Sequence, residues 1–277
     1  MPEFESAIMS ETRQPVKMEI LDLESDLLNR SVRIDIYGPA TQATRGPMSL
    51  LLVNDGQDLL KMKFGDILEE QATRKGARDC LVAAIHCGAD RMNEYGISSS
   101  PDYKGRGAKA ALYEQFVITE LLPCIRIRYA EMDFYETNFA GFSMGALSAL
   151  NIVWNHPEIF TIVGLFSGSF WWRSVDNHAK NYDKWAHRLM HSNIRAGKYQ
   201  SHFRFFFQCG ELDETEDRDK NGVIDSIDDT IDLMRELLKK GYLEGKDFKY
   251  LQMVHGRHDV PSWEKAFPAF LKWGWTK

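Results

Sequence analysis

The stretch Thr137-Asn-Phe-Ala-Gly141-Phe-Ser143-Met-Gly145-Ala-Leu-Ser-Ala-Leu150 decides how this chain folds. An apolar run enters a G-x-S-x-G pentapeptide, and a segment carrying Leu147, Leu150 and Trp154 on one side leaves it. That patterning predicts a buried strand over Thr137–Phe142 and a helix over Met144–Asn155. The turn between them is too tight for a side chain two positions either side of the serine, which is why Gly141 and Gly145 stand there. Ser143 is then exposed above the sheet edge, with first-turn helix amides beneath it to meet a developing negative charge.

Working outward, apolar or alternating runs predict strands over Val16–Leu23, Ser31–Tyr37, Met48–Asn54, Cys80–His86, Phe160–Ser167, Phe203–Cys209 and Phe248–Val254. A Gly46–Pro47 step leads into the third of these. Helical patterning covers Leu60–Lys75, then Ala108–Leu122 with Pro123 kinking or ending it. Ile231, Met234, Leu237 and Leu238 form a stripe on a helix that stops at Gly241, and Val260–Trp273 closes the chain. Strands and helices taking turns imply a mostly parallel central sheet with helices on both faces. The reading is one domain over 1–277, with opening strands in 1–45 and a catalytic core in 46–277. The Trp-rich stretch from Trp171-Trp172 to about Lys198 is the single candidate cap.

A chain of 277 residues, 44% hydrophobic and 12% aromatic, is long and apolar enough for one substantial core. Its apolar runs are strand-sized, well short of the ~20 residues of a membrane helix, so no membrane partner is expected. The opening Met-Pro-Glu-Phe-Glu-Ser lacks a signal-like pattern, which points to the cytoplasm. Cys80, Cys87, Cys124 and Cys209 show no metal spacing and read as small hydrophobes, Cys87 least clearly because it ends a strand. Net charge is −6, with residues 211–232 holding −8 of charge on ten acids and two bases. The nearly neutral remainder has no basic face for nucleic acid. Oligomeric state is not readable.

A serine needs a general base, and at a strand-to-helix elbow the chain order is Ser, acid, His. His255-Gly256-Arg257-His258-Asp259 follows the last strand. His255 continues that strand and is expected to point into the structure, so His258 is the base. The acid follows Phe203–Cys209, where Glu211, Asp213 and Glu214 all qualify by position, although Gly210 permits a turn that brings Asp213 back to the imidazole. The oxyanion hole is expected from the backbone N–H groups of Met144 and of Gln57, in the Asp55-Gly56-Gln57 loop after the third strand.

These residues resemble the esterase family of the α/β-hydrolase fold, the group similar to enterochelin esterase and esterase D, with feruloyl esterases and mycolyltransferases as cousins. The resemblance covers roughly 45–275. It rests on Asn54-Asp55-Gly56-Gln57, Asp90-Arg91-Met92-Asn93-Glu94-Tyr95, Glu120-Leu121-Leu122-Pro123, Gly141–Gly145, Ser167-Gly168-Ser169-Phe170-Trp171-Trp172, and Gly256-Arg257-His258-Asp259 with Trp263. It implies an α/β-hydrolase fold, Ser143 as nucleophile, His258 as base and, from a G-x-x-D step, Asp213 as acid. It also implies that Arg91, Glu94, Tyr95 and Trp171 line or support an acyl-binding cleft. Ala146 and Arg257 depart from the pattern, each standing where the family commonly has glycine, and Arg257 narrows the entrance or favours an anionic substrate.

Asp217-Arg-Asp219-Lys-Asn221-Gly222-Val223-Ile-Asp225-Ser-Ile-Asp228 fits a 12-position calcium loop, with oxygen donors on Asp217, Asp219, Asn221, Asp225 and Asp228 and the Val223 carbonyl, and glycine at position 6. A structural Ca²⁺ there would hold the loop that carries the acid; magnesium fits the Asp at the last position. No organic cofactor is implied. The expected function is hydrolysis of a small-molecule carboxylic ester through an acyl-enzyme. Acyl transfer on the same triad and a non-catalytic, calcium-stabilised binding domain are the alternatives.

Overall fold

The computed structural model describes residues 15–39 and 48–276, so the Gly46–Pro47 step lies outside the described residues. The chain opens with β1 (Val16–Ser25) and β2 (Arg30–Pro39), followed by β3 (Met48–Asn54), α1 (Gly56–Lys61), α2 (Phe64–Ala72), β4 (Cys80–Ile85) and the short α3 (Arg91–Glu94). Next come α4 (Ala110–Gln115), a π-helical turn (Phe116–Leu121) and α5 (Leu122–Arg128), then β5 (Phe134–Phe142), α6 (Met144–Asn155) and β6 (Phe160–Phe166). The chain ends with α7 (Lys184–His187), α8 (Leu189–Ala196), β7 (Arg204–Leu212), α9 (Asp225–Lys240), β8 (Phe248–Arg257) and α10 (Val260–Trp275).

All eight strands form one sheet in the order β1-β2-β4-β3-β5-β6-β7-β8. The β1–β2 and β2–β4 pairs are antiparallel, and every pair from β4–β3 onward is parallel. Both faces are covered, which is why the central strands are continuously apolar. Successive residues of β3 go to opposite sides: Leu50 and Leu52 join a core with Tyr113, Leu147 and Leu233, whereas Leu51 and Val53 join one with Leu59, Phe64 and Phe267. The fold is therefore the α/β arrangement expected from the alternation.

Several element boundaries depart from the sequence reading for identifiable reasons. Lys63 adopts φ 49, and this left-handed step splits the single helix expected over Leu60–Lys75 into α1 and α2. Pro123 does not end its helix. The π-helical turn before it re-registers the backbone, and the proline enters as the start of α5, where a missing N–H costs little. Strand β8 runs on to Arg257, beyond the expected end at Val254, because Arg257 pairs with Leu212 across a bulge.

The parallel strands point their C-terminal ends to one edge of the sheet, the place where open α/β sheets collect their ligands. Asn54, Ser143, Ser167, Asp213 and His258 all sit at that edge, at or just past the ends of β3, β5, β6, β7 and β8. Behind it, Phe267 on α10 is fully buried and stacks on Phe166 at 5.0 Å, with further ring contacts to Phe64 and Phe142. Phe267→Ala is expected to destabilise the fold by about 3–5 kcal/mol. Urea unfolding checks this, and a loss below 1 kcal/mol would show that the site collapses around the cavity.

Candidate active site

Ser143 caps α6 with φ 55 and ψ −122, a conformation that costs about 1–3 kcal/mol for a residue with a side chain. Close packing holds it there. A Cβ on Gly141 would lie 2.4 Å from Gly145 O, and one on Gly145 would lie 2.6 Å from Asp55 Oδ2. The neighbouring β3 loop is tied to the same turn, since Asn54 Nδ2 donates to Gly145 O at 2.8 Å and Tyr113 Oη donates to Asn54 Oδ1 at 2.5 Å. Two helix starts, at 56–57 and 144–145, are thereby brought together. The amides of Gln57 and Met144 lie in these first turns, where N–H groups have no acceptor within the helix. The Gln57 side chain is turned away and anchored, accepting from Cys87 N–H at 3.2 Å and donating to Cys87 Sγ at 3.2 Å. Burial pushes the Cys87 thiol up to about 11, which disfavours its thiolate.

Asp213 follows the end of β7. Its Oδ2 accepts from Gly210 N–H at 3.0 Å, while Oδ1 is buried without a hydrogen-bond partner. Burial raises its pKa, against the pull of the Gly210 N–H, the Ser167 hydroxyl and the His258 ring. His258 follows the end of β8 and keeps an open side to solvent, while its ring meets Trp263 edge-on at 5.4 Å. Crowding by protein lowers its pKa; Asp213 and Asp259 pull it up, and Arg91 pushes it further down. Trp263 in turn donates to Ser167 Oγ at 3.0 Å and stacks on Phe142 at 4.9 Å, linking His258 to the strand under Ser143. His255, expected to point inward, is exposed, with φ 60 at the strand bulge.

Ser143, Asp213 and His258 therefore share one end of the sheet, although no hydrogen bond joins them to one another among the described residues. Ser143 Oγ instead lies 3.4 Å from Ser169 Oγ, whose N–H donates to Ser143 O. Catalytic hydrogen bonds often tighten only when substrate is bound. Ser169 and Ser167 were not singled out as site residues by the sequence. The one available signal was their position in Ser167-Gly168-Ser169, at the end of a strand next to β5.

Of the residues expected to line or support a cleft, Trp171 lines an open cavity of about 430 Å³ together with Tyr103, Arg106, Arg173 and Glu214. The Arg106 guanidinium covers the Trp171 ring at 4.6 Å. Glu94 and Tyr95 are buried, where they support their neighbours and do not line the surface. Glu94 is buried under Arg30, paired at 2.7 Å, and Tyr95 is buried with its hydroxyl accepting from Asp55 N–H at 3.2 Å. Arg91 stands between, two-pronged on Asp55 at 2.7 Å and over the Tyr95 ring. The stretch expected as a cap is part of the body: buried Arg188 pairs with Asp229 at 2.6 Å and Asp232 at 2.7 Å, fixing α8 against α9.

The 217–228 loop makes a tight turn at Gly222. Gly222 takes φ 85, and Asp217 accepts from the N–H groups of Asn221 at 3.1 Å and Gly222 at 2.9 Å. Asp225, expected as a ligand, caps Arg218 N–H and faces the Arg218 guanidinium, while Asp228 accepts from Asn221 Nδ2. Val223 uses its N–H on Asn221 Oδ1. Among the described residues no three His, Cys, Asp or Glu side chains converge as ion donors. Asp217, Asp219, Asn221, Val223, Asp225 and Asp228 thus surround a glycine turn, with the Arg218 guanidinium facing Asp225 as a local counter-charge.

Among the described residues no helix is long and apolar enough to cross a membrane. No curated protein matches the chain. Among solved structures it is similar to the enterobactin esterase of Shigella flexneri, determined in the presence of enterobactin, with 21% identity and a TM-score of 0.70, covering 92% of this chain and 57% of that one. The chain thus spans less than two thirds of that relative's length. A ferulic acid esterase aligns at 16% identity and TM-score 0.64, over 95% of this chain and 98% of that one. The siderophore hydrolase EstB of Aspergillus nidulans aligns at 14% identity and TM-score 0.64, over 95% and 97%. Residues 25–273 match the sequence pattern of the family described as "Putative esterase". By that match over most of its length, and with the α/β-hydrolase fold of those neighbours, this chain belongs to the esterase family.

Proposed function

We propose that the protein hydrolyses a small-molecule carboxylic ester through an acyl-enzyme, with Ser143 as nucleophile, His258 as base and Asp213 as the supporting acid. The observation that carries this reading is the strained Ser143 between two free helix starts, with a buried, unpartnered Asp213 oxygen near His258 at the same sheet edge. A small swing of the imidazole gives Asp213 Oδ1 the hydrogen bond it lacks and fixes the tautomer that leaves Nε2 free for the serine. Ser143 Oγ then attacks the ester carbonyl as its proton passes to His258. The carbonyl oxygen becomes the oxyanion, held by the N–H groups of Gln57 and Met144. Collapse expels the alcohol, which takes the proton from His258, and water repeats the cycle to release the acid and free Ser143.

The cavity beside Trp171 is proposed to take a ring-bearing, acceptor-rich part of the ester. Tyr103 and Trp171 line it together with the Arg106 guanidinium, which lies over the Trp171 ring, and the Arg173 guanidinium, which donates to Trp171 O and Asn177 Oδ1. In a hydrolysis screen aryl esters should be favoured over alkyl esters of similar size. Trp171→Ala should erode that preference through KM.

Three measurements test the reading. A fluorophosphonate probe should label the wild type and not Ser143→Ala; equal labelling of both would refute the nucleophile. Because the protein crowded around its ring lowers the His258 pKa, the unprotonated base persists below the usual histidine value of 6.5, so the acidic limb of kcat/KM is expected below that pH. Asp213→Asn should cost on the order of a thousandfold or more in kcat. For the 217–228 loop, Arg218 occupies the counter-charge position, so EGTA is expected to leave the melting temperature unchanged. A rise of several degrees on adding millimolar calcium would restore the cation.

A further inference from the structure

Arg91 was expected to face or support an acyl group, yet its guanidinium is committed to a carboxylate at the elbow. Nε and Nη2 each donate to one oxygen of Asp55 at 2.7 Å. Asp55 is buried and in the left-handed region at φ 60, at the N-terminal end of α1. Its Oδ2 stands where it would be 2.6 Å from a Cβ on Gly145, hence against the first turn of α6. A buried negative charge therefore lies beside both turns whose amides are assigned to the oxyanion, where a second negative charge must develop during acyl transfer. Left alone, that carboxylate would oppose the transition state, because like charges in a low-dielectric site repel strongly.

We propose that Arg91 is a positioning residue that cancels the charge of Asp55, so that Asp55 can brace the two halves of the oxyanion hole without repelling the oxyanion. The inference rests on the serine-hydrolase reading above. The pairing geometry is specific: the fork of an arginine satisfies both carboxylate oxygens, and the ring of buried Tyr95 supports its other side, with the guanidinium carbon 4.9 Å from the ring centroid. The Tyr95 hydroxyl accepts the Asp55 N–H, so one tyrosine fixes both partners. Gln57 adds a weaker tie from Nε2 to Asp55 Oδ1 at 3.4 Å. Arg91 also acts on the charge of the base. The charged groups acting on His258 are Asp213 after β7, Asp259 at the start of α10, and Arg91 on α3.

Opposite single substitutions and their combination test this. Arg91→Ala, which leaves Asp55 unpaired, should lower kcat by on the order of a hundredfold with little change in KM, and move the acidic limb of kcat/KM to higher pH. Asp55→Asn, which leaves Arg91 unpaired, should move that limb to lower pH. The double variant should recover at least tenfold in kcat over Arg91→Ala, with its limb near wild type; Arg91→Lys should fall between Arg91→Ala and wild type. A double variant no better than Arg91→Ala, or limbs that do not move in opposite directions, would make the pair a fold brace only and overturn the proposal. Fluorophosphonate labelling of Ser143 is read in parallel. Labelling of the wild type with an unchanged kcat in Arg91→Ala rejects this inference alone, whereas an unlabelled wild type rejects the serine-hydrolase reading beneath it.

Discussion

The backbone at 141–145 approaches its neighbours so closely that no side chain fits at either glycine, and the chemistry at the open edge of the sheet depends on that approach. Gly141 lies against the carbonyl of Gly145, and Gly145 lies against Asp55. Ser143 is held at a positive φ between them, and Asn54 is locked to the same turn by a buried hydrogen bond to Gly145 O. The strain at one residue is maintained by the rigidity of two packed strands, β3 and β5, each buried on both faces. A flexible loop could present a serine, but it could not hold two helix starts against each other.

Placing charge in so tight a space has consequences. A carboxylate at position 55 serves the local turn, yet it needs a cation, and Arg91 supplies one from a separate segment. The same logic governs the acidic segment after Asp213, where Arg218 and buried Arg188 converge on Asp229. In both places negative charge near the site is offset by arginine forks, which satisfy carboxylate geometry better than a single ammonium would. Asp213 is the exception, with one buried oxygen left without a hydrogen-bond partner.

Strand-helix alternation and the G-x-S-x-G context made the sheet, its parallel core and the serine legible in the sequence, because burial on both faces leaves an unbroken apolar signature in each central strand. Ser143, His258 and Asp213 fall at one edge since strand ends are fixed by the fold, and turn chemistry marks them. Less could be read where tertiary contacts overrule local pattern. Lys63 breaks a helix with no proline or glycine to announce it, and the π-helical turn lets the chain pass through Pro123. Glu94 and Tyr95 are expected to line or support a cleft, and spacing alone does not show that Arg30 and Asp55 hold them in the interior. The acidic loop matches a cation pattern by spacing, which does not show that Asp225 also faces Arg218.

The central claim is that the N–H groups of Gln57 and Met144 converge on an oxygen bound to Ser143. A crystal structure of the protein after reaction with a small alkyl fluorophosphonate tests it most directly. The phosphonyl oxygen should lie within about 2.7–3.1 Å of both amide nitrogens, with His258 turned onto Asp213. An adduct on another residue, or a Ser143 adduct whose oxygen points to solvent away from both amides, would contradict the account.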